Sequence, residues 1–491
     1  MVVGTTSHAG KSLITAAICR LLVRQGFKVT PFKGQNMALN AYITADGKEM
    51  GHAQAVQAWA AKIEPRIEMN PILLKPQGDM TSQVILMGSA VGRVQAADYY
   101  RDYFDRGWAA ITNCLDKLAV EFDYIVCEGA GSPAEINLKH RDLTNMRVAS
   151  YLQANTVLVA DIDRGGVFAH IVGTLELLEP EERALIKGFI INKFRGQRSL
   201  LESGIRWLEE RTGIPVIGVI PMLDQVFPSE DSLDLLERRS RKPNADLTIG
   251  VVRFPRISNF TDFDPIDAEP TVNLKYITTK DELSQCDGVI LPGSKTTIAD
   301  LNWLQQTGIA AAIPHYLANG GTIMGICGGF QMLGSTIADP TGIEGIPGEY
   351  QGLNLFPLQT IITEAKITRQ RATTSNYPQQ GISISGYEIH QGTTKWHPDY
   401  SNIDDYELLF SDRTLGIVDR ELTLWGTYLH GIFDNGRWRR NWLNQIRSQR
   451  NLALITNDVP DYANQREEIF DKLADSISDY LDLTSLTTVE S

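Results

Sequence analysis

Short apolar runs alternate with amphipathic stretches along the first 225 residues, and this alternation sets the expected architecture. Phe27–Pro31, Tyr124–Cys127, Thr156–Ala160, Gly188–Ile191 and Val216–Ile220 are compact apolar runs that predict buried strands. The amphipathic stretches between them, beginning with Leu13–Arg24, predict helices, so the strands form a parallel sheet covered on both faces. A second rhythm of the same kind starts at Leu247, with Thr248–Val252, Gly288–Leu291, Thr322–Gly325 and Leu422–Thr427 as strands. Between the two, Ser229 to Asp246 is charged and carries no strand pattern, which places a domain boundary there. The expected organisation is α/β throughout, as two doubly wound domains: 1–235, a linker 236–246, a second domain 247–445, and a tail 446–491. In the tail, Ile469, Phe470, Leu473, Ile477, Tyr480 and Leu481 recur at helical spacing and predict one docked amphipathic helix. No repeat of 20 to 50 residues interrupts this picture.

Composition changes it little, but charge narrows the function. With 46 Lys and Arg against 59 Asp and Glu, the net charge of -13 gives no footprint for nucleic acid or an anionic membrane. An anionic substrate must therefore be held by local cations. The five cysteines, Cys19, Cys114, Cys127, Cys286 and Cys327, are odd in number and form no C-x-x-C, so neither a disulfide framework nor a zinc site is expected. A reducing cytoplasm fits that pattern, and Gly4 comes too early to leave room for a signal peptide.

The first candidate chemistry lies at the N-terminus. Val2-Val3 is followed by the loop Gly4-Thr5-Thr6-Ser7-His8-Ala9-Gly10, and Lys11-Ser12 opens a helical stretch. Backbone N–H groups of such a loop, together with the helix N-terminus, cradle phosphate; Lys11 reaches outer phosphates and the Ser12 hydroxyl suits Mg²⁺. Five residues separate Gly4 from Gly10, one more than in the ordinary P-loop. Glu128, after the run Tyr124–Cys127 and within Glu128-Gly129-Ala130-Gly131, is a candidate metal carboxylate at a strand end, or else a solvated acid in a turn. Asp161, Asp163 and Arg164 end another strand and combine acids with a phosphate-matching guanidinium, although an ordinary turn explains them too. Asn192 could offer an amide to a base edge or simply close its strand.

The second candidate chemistry is nucleophilic. Cys327, in Thr322-Ile323-Met324-Gly325-Ile326-Cys327-Gly328-Gly329-Phe330-Gln331, sits between a buried strand and a helix, where a sharp turn exposes a thiol and the helix N-terminus favours its thiolate. His430, about a hundred residues on in Trp425-Gly426-Thr427-Tyr428-Leu429-His430-Gly431, is the candidate general base. Gly293, in Pro292-Gly293-Ser294, could join Gly328 in an oxyanion hole. His8, His52, His140, His170, His315 and His397 lack metal-ligand spacing and are assigned to structure or surface.

The N-terminal half resembles the dethiobiotin synthetase-like ATPases, whose loop has the same five-residue spacing, and the C-terminal half resembles class I glutamine amidotransferases. Further blocks run in order along the chain: Pro31-Phe32-Lys33-Gly34-Gln35-Asn36-Met37, Met69-Asn70-Pro71-Ile72-Leu73-Leu74-Lys75-Pro76, Glu128 to Leu138, Asp161 to Ala169, and Pro255-Arg256-Ile257-Ser258-Asn259-Phe260-Thr261-Asp262-Phe263. Together they are similar to the cobyric acid synthase family over nearly the whole chain. The resemblance implies ATP- and L-glutamine-dependent amidation of the b, d, e and g carboxylates of adenosylcobyrinic acid a,c-diamide, through acyl phosphates and ammonia sheltered between domains. It also implies that Gly4, Thr5, Gly10, Lys11, Ser12 and Asn192 bind ATP, that Ser12 and Glu128 hold Mg²⁺, and that Lys33, Gln35, Asn36, Lys75, Asp161, Asp163, Arg164 and Arg256 meet the corrinoid. Oligomeric state is left open.

Two other readings stay in view. One is a related amidotransferase, such as a cobyrinic acid a,c-diamide synthase. The other is a partition-type switch ATPase, against which Thr5 stands where that class has a signature lysine. The chain departs from the class I amidotransferases after His430, where Gly431-Ile432-Phe433 replaces the usual His-x-Glu. A Cys-His dyad or an unusual orienting group is implied, and Glu388 and His390 are candidates for orienting or substrate roles.

Overall fold

A computed structural model describes residues 1–77, 81–223, 242, 244–400 and 405–487. The expected boundary and the linker 236–246 fall largely outside the described residues. The chain forms two units whose membership departs from sequence order: Met1–Ala38, Glu49–Pro228 and Arg466–Ser491 make the first, and Leu39–Lys48 with Ser229–Gln465 the second.

In the first unit, Val2–Gly4, Thr156–Asp161, Ile186–Phe194 and Val216–Pro221 lie parallel in that order. The parallel pair Val29–Phe32 and Tyr124–Cys127 joins on the other side, through a bridge between Val2 and Glu128. Strand periodicity divides the core. Val2, Val157, Val159 and Ile190 point into one cluster, shared with the helix Lys11–Arg24, while Val3, Leu158, Ala160, Phe189 and Ile191 point into another, shared with Val167–Leu177 and Glu202–Thr212. Both faces are thus covered, as a parallel sheet requires. The helix Tyr462–Ser478 contributes Phe470, Leu473 and Ile477 to the first cluster, and the fully buried Arg20 meets Glu467 at 2.8 Å. The expected C-terminal helix is present, and from Arg466 onward it belongs to the nucleotide-loop unit. A smaller sheet, Gln35–Met37, Ile72–Pro76, Thr81–Leu86 and Ser89–Gln95, was not foreseen from the pattern.

In the second unit, Val272–Ile277, Leu247–Val252, Gly288–Leu291, Thr322–Ile326 and Leu424–Thr427 run parallel, and the antiparallel strands Gly416–Asp419 and Tyr406–Leu408 extend the sheet. A second sheet is built on the long hairpin Leu358–Thr374 and Ser383–Trp396, with Leu429–His430 on its edge. Among the described residues no helix is long and apolar enough to cross a membrane.

Candidate functional site

The glycine loop of the first unit runs directly into the N-terminus of the helix Lys11–Arg24. Gly10 adopts φ +95° at the N-cap of Lys11–Arg24, a conformation that glycine takes without strain. A Cβ on Gly10 would lie 2.1 Å from Asn192 Nδ2, and that amide donates to the Ala9 carbonyl at 2.9 Å. Asn192 is therefore tied to the loop backbone. Lys11 Nζ donates to the carbonyls of Thr6 and Gly131, each at 3.1 Å, so its ammonium stands over the loop. The Thr5 N–H donates to Val159, fixing the loop to the sheet.

Glu128 is the hub beneath this loop. It accepts from Ser12 Oγ at 2.8 Å and from Lys33 Nζ at 2.8 Å, and Gln57 Nε2 contacts its second oxygen. Burial pushes this carboxyl up, but Lys33 and the hydrogen bonds from Gln57 and Ser12 outweigh it and hold Glu128 below the ordinary carboxylate value. Asn145, which sequence reasoning missed, pins the following turn: its amide exchanges hydrogen bonds with Ala130, and a Cβ on Gly129 would meet Asn145 Oδ1 at 2.1 Å. The loop with its cation fits a nucleotide polyphosphate, and the oxygen donors of Ser12 and Glu128 suit Mg²⁺. Among the described residues no group of three or more His, Cys, Asp or Glu is placed to hold a metal ion, so Mg²⁺ here would complete its shell from phosphate and water.

The corrinoid candidates are engaged in separate local pairs. Lys33 is committed to Glu128, and Lys75 forms a buried ion pair with Glu49 at 2.8 Å. Asn36 Nδ2 donates to Gln54 at 2.9 Å, while Gln35 is half-buried on the same strand. Asp161 accepts from Lys193, Asp163 pairs with Arg195, and Arg164 is exposed beside Gly165. Arg256 lies in the second unit, where its backbone N–H donates to Asp300.

In the second unit Cys327 has φ 53° and ψ −109°, a strained backbone for a non-glycine residue, at the junction of Thr322–Ile326 and the short helix Gly328–Leu333. Close approach makes this elbow possible: a Cβ on Gly329 would lie 1.9 Å from the Leu291 carbonyl oxygen. The Gly293 and Gly328 positions converge with the elbow, since a Cβ on Gly293 would meet His430 Cε1 at 3.3 Å and one on Gly328 the Ser294 nitrogen at 3.0 Å. Ser294 Oγ donates to Asp300, and the paired segments Ile257–Ser258 and Gly293–Ser294 hold that strand in place.

The group orienting His430 is Asp262. His430 Nδ1 lies 2.6 Å from Asp262 Oδ2, and the Gly431 N–H donates to Oδ1 at 3.0 Å. Burial alone would lower the His430 pKa; Asp262, followed by Cys327, outweighs it and pushes the imidazole up to about 10. Neither an unassisted dyad nor Glu388 describes this arrangement. Glu388 is engaged by His390, Arg369 and Arg371, which outweigh its burial and hold it down at about 2. His390 stacks on Tyr428 with ring centroids 3.8 Å apart. The signal that could have found Asp262 was an acid flanked by Phe260, Thr261 and Phe263: a carboxylate set among buried aromatics needs a partner.

Residues 1–235 match the CobQ/CobB/MinD/ParA nucleotide binding domain family, and residues 248–438 match the CobB/CobQ-like glutamine amidotransferase domain family. Curated cobyric acid synthases of Nostoc sp. (strain PCC 7120 / SAG 25.82 / UTEX 2576) and Trichormus variabilis (strain ATCC 29413 / PCC 7937) are 66% and 65% identical to this chain, each over 99% of it and 98% of the relative. That of Synechococcus elongatus (strain ATCC 33912 / PCC 7942 / FACHB-805) is 63% identical over 99% of both chains. Among solved structures, a glutamine amidotransferase aligns with 40% of this chain and 98% of its own, at 14% identity and a TM-score of 0.31. With an amidotransferase unit and a nucleotide-binding unit in one chain, and relatives this similar over its whole length, the protein belongs to the cobyric acid synthase family.

Proposed function

We propose that the protein transfers glutamine nitrogen to the b, d, e and g carboxylates of adenosylcobyrinic acid a,c-diamide, giving adenosylcobyric acid. The observation that supports this most is the pairing of Cys327 on its elbow with His430 held by Asp262, in a chain that also carries the Gly4–Ser12 loop. In the second unit, Cys327 attacks the glutamine side-chain carbonyl and His430 carries the proton to the departing ammonia. Asp262 keeps the Nδ1 proton in place so that Nε2 faces the thiol. The Gly293 and Gly328 backbone stabilises the oxyanion. Water then completes the cycle by releasing glutamate.

A carboxylate resists attack by ammonia because hydroxide is a poor leaving group. ATP with Mg²⁺ supplies the phosphoryl group that makes it a better one. Lys11 and the loop N–H groups would hold phosphate charge, Ser12 and Glu128 would hold the ion, and Lys33 keeps Glu128 ionised and in position. Mass analysis of the corrinoid after incubation with ATP, Mg²⁺ and glutamine tests the reading. Four successive carboxyl-to-amide conversions are expected; amidation that stops elsewhere, or begins at the a or c position, would favour a different amidotransferase.

A further inference from the structure

The segment Leu39–Lys48 lies in the sequence between parts of the nucleotide-loop unit yet belongs structurally to the amidotransferase unit. Its contacts there converge on the acid and base of the glutaminase. Asn40 is 2% exposed, and its Oδ1 accepts the Phe260 N–H at 3.0 Å. Phe260 opens the turn Phe260–Phe263, which carries Asp262. Asn259, just before that turn, has φ 53° and donates its side-chain amide to the Tyr387 hydroxyl at 3.0 Å. The same hydroxyl donates to the Ala41 carbonyl at 3.3 Å, while the Tyr387 ring stacks on His430 with centroids 5.3 Å apart and planes 16° from parallel. Tyr42 adds an edge contact to Tyr387. Further along, the carbonyls of Ile43 and Gly47 accept from Gln370 and Thr368, so the segment is anchored to the long hairpin at several points.

We propose that Leu39–Lys48 is a strap that sets the geometry of the glutaminase site, with Asn40 and Tyr387 as positioning residues for Asp262 and His430. The proposal rests on the reading that Cys327 hydrolyses glutamine. Asn40 fixes the height of the acid-bearing turn, and Tyr387 fixes the face of the imidazole. One hydroxyl joins the strap, the turn and the ring. Loss of either contact lets the Asp262–His430 pair drift without removing any reacting atom, and displacements of this size cost rate more than affinity.

The test uses the full chain with Asn40→Leu, Asn40→Asp and Tyr387→Phe. Glutamine hydrolysis should lose between about tenfold and a hundredfold in kcat for Asn40→Leu and Tyr387→Phe, with KM for glutamine within about twofold of the unmodified protein. Asn40→Asp keeps an acceptor for the Phe260 N–H and should recover most of that loss. The pH dependence of Cys327 alkylation should shift in Asn40→Leu in the same direction as in Asp262→Asn, a readout that packing alone would not move. Ammonia-supported amidation should persist, which shows that the chain is folded; if Asn40→Leu does not fold, Tyr387→Phe decides. Unmodified kcat in both variants, or equal loss with glutamine and ammonia, overturns the strap. Absence of glutamine hydrolysis in the unmodified protein, or its survival in Cys327→Ala, overturns the underlying reading instead.

Discussion

Replacing Asp262 by Asn removes one charge and almost no volume, and its consequence follows from the hydrogen-bond inventory. The carboxylate has two acceptor oxygens in use, one facing His430 Nδ1 at 2.6 Å and one accepting the Gly431 N–H at 3.0 Å. An Asn has one acceptor. If its oxygen stays on Gly431, its NH₂ faces Nδ1 and forces the ring proton onto Nε2, where it blocks proton transfer from Cys327. If it flips, the buried Gly431 N–H loses its partner. The electrostatic term has a scale as well. A rise from 6.5 to about 10 in the His430 pKa corresponds to about 5 kcal/mol of preference for the imidazolium. Asp262 comes before Cys327 among the groups that raise the imidazole, and its loss should cost on the order of a hundred- to a thousandfold in kcat. Glutamate release under saturating glutamine is the assay, with ammonia-supported amidation as the control for folding. A kcat within threefold of the unmodified protein would refute the reasoning, because an acid that matters so little cannot be holding the base.

Four further outcomes are expected. Cys327→Ala should abolish glutamine-supported amidation and spare the ammonia-supported reaction, compared directly by product analysis with each donor. Lys11→Ala should remove amidation with both donors, since each needs the activated carboxylate; near-normal turnover with ammonia would place the nucleotide elsewhere. Gly329→Ala should cost about 3 kcal/mol or more and destroy the elbow, because the new Cβ would meet the backbone oxygen of Leu291 at 1.9 Å; circular dichroism and thermal melting read this out. Finally, a folded His430 pKa of about 10 against 6.5 unfolded means that the imidazolium's contribution to stability is full below 6.5 and is lost as the pH rises towards 10. Melting of the second unit should therefore fall more steeply over that window in the unmodified protein than in Asp262→Asn.

The strands were legible because a buried parallel strand writes itself as a short apolar run. Tyr124–Cys127 and Gly288–Leu291 fall where the pattern put them, and Thr156–Asp161 differs by one residue. Cys327 and the loop from Gly4 to Ser12 were legible for a related reason: glycines at fixed offsets mark backbone geometry that few other sequences need. The long hairpin Leu358–Thr374 and Ser383–Trp396 was not, since one face of it is largely exposed and its alternation is broken by polar residues. Long-range convergence was hidden altogether. Asp262 reaches His430 across 168 positions of sequence and Asn40 reaches Phe260 across 220, and no local pattern encodes such pairings. The membership of Leu39–Lys48 and of the C-terminal helix was hidden too, because amphipathic spacing says that a face is buried and not what buries it. The pairing of Lys33 with Glu128 was hidden for a similar reason: the two lie 95 positions apart.

Nitrogen freed at Cys327 should end in corrinoid amides made by the same chain. Amide-labelled glutamine supplied with the a,c-diamide, ATP and Mg²⁺, followed by mass analysis of the corrinoid, addresses it directly. Label is expected in all four new amides with the unmodified protein and in none with Cys327→Ala, although the variant still amidates when ammonia is supplied. Glutamine hydrolysed and ATP consumed with no label in the corrinoid would contradict it.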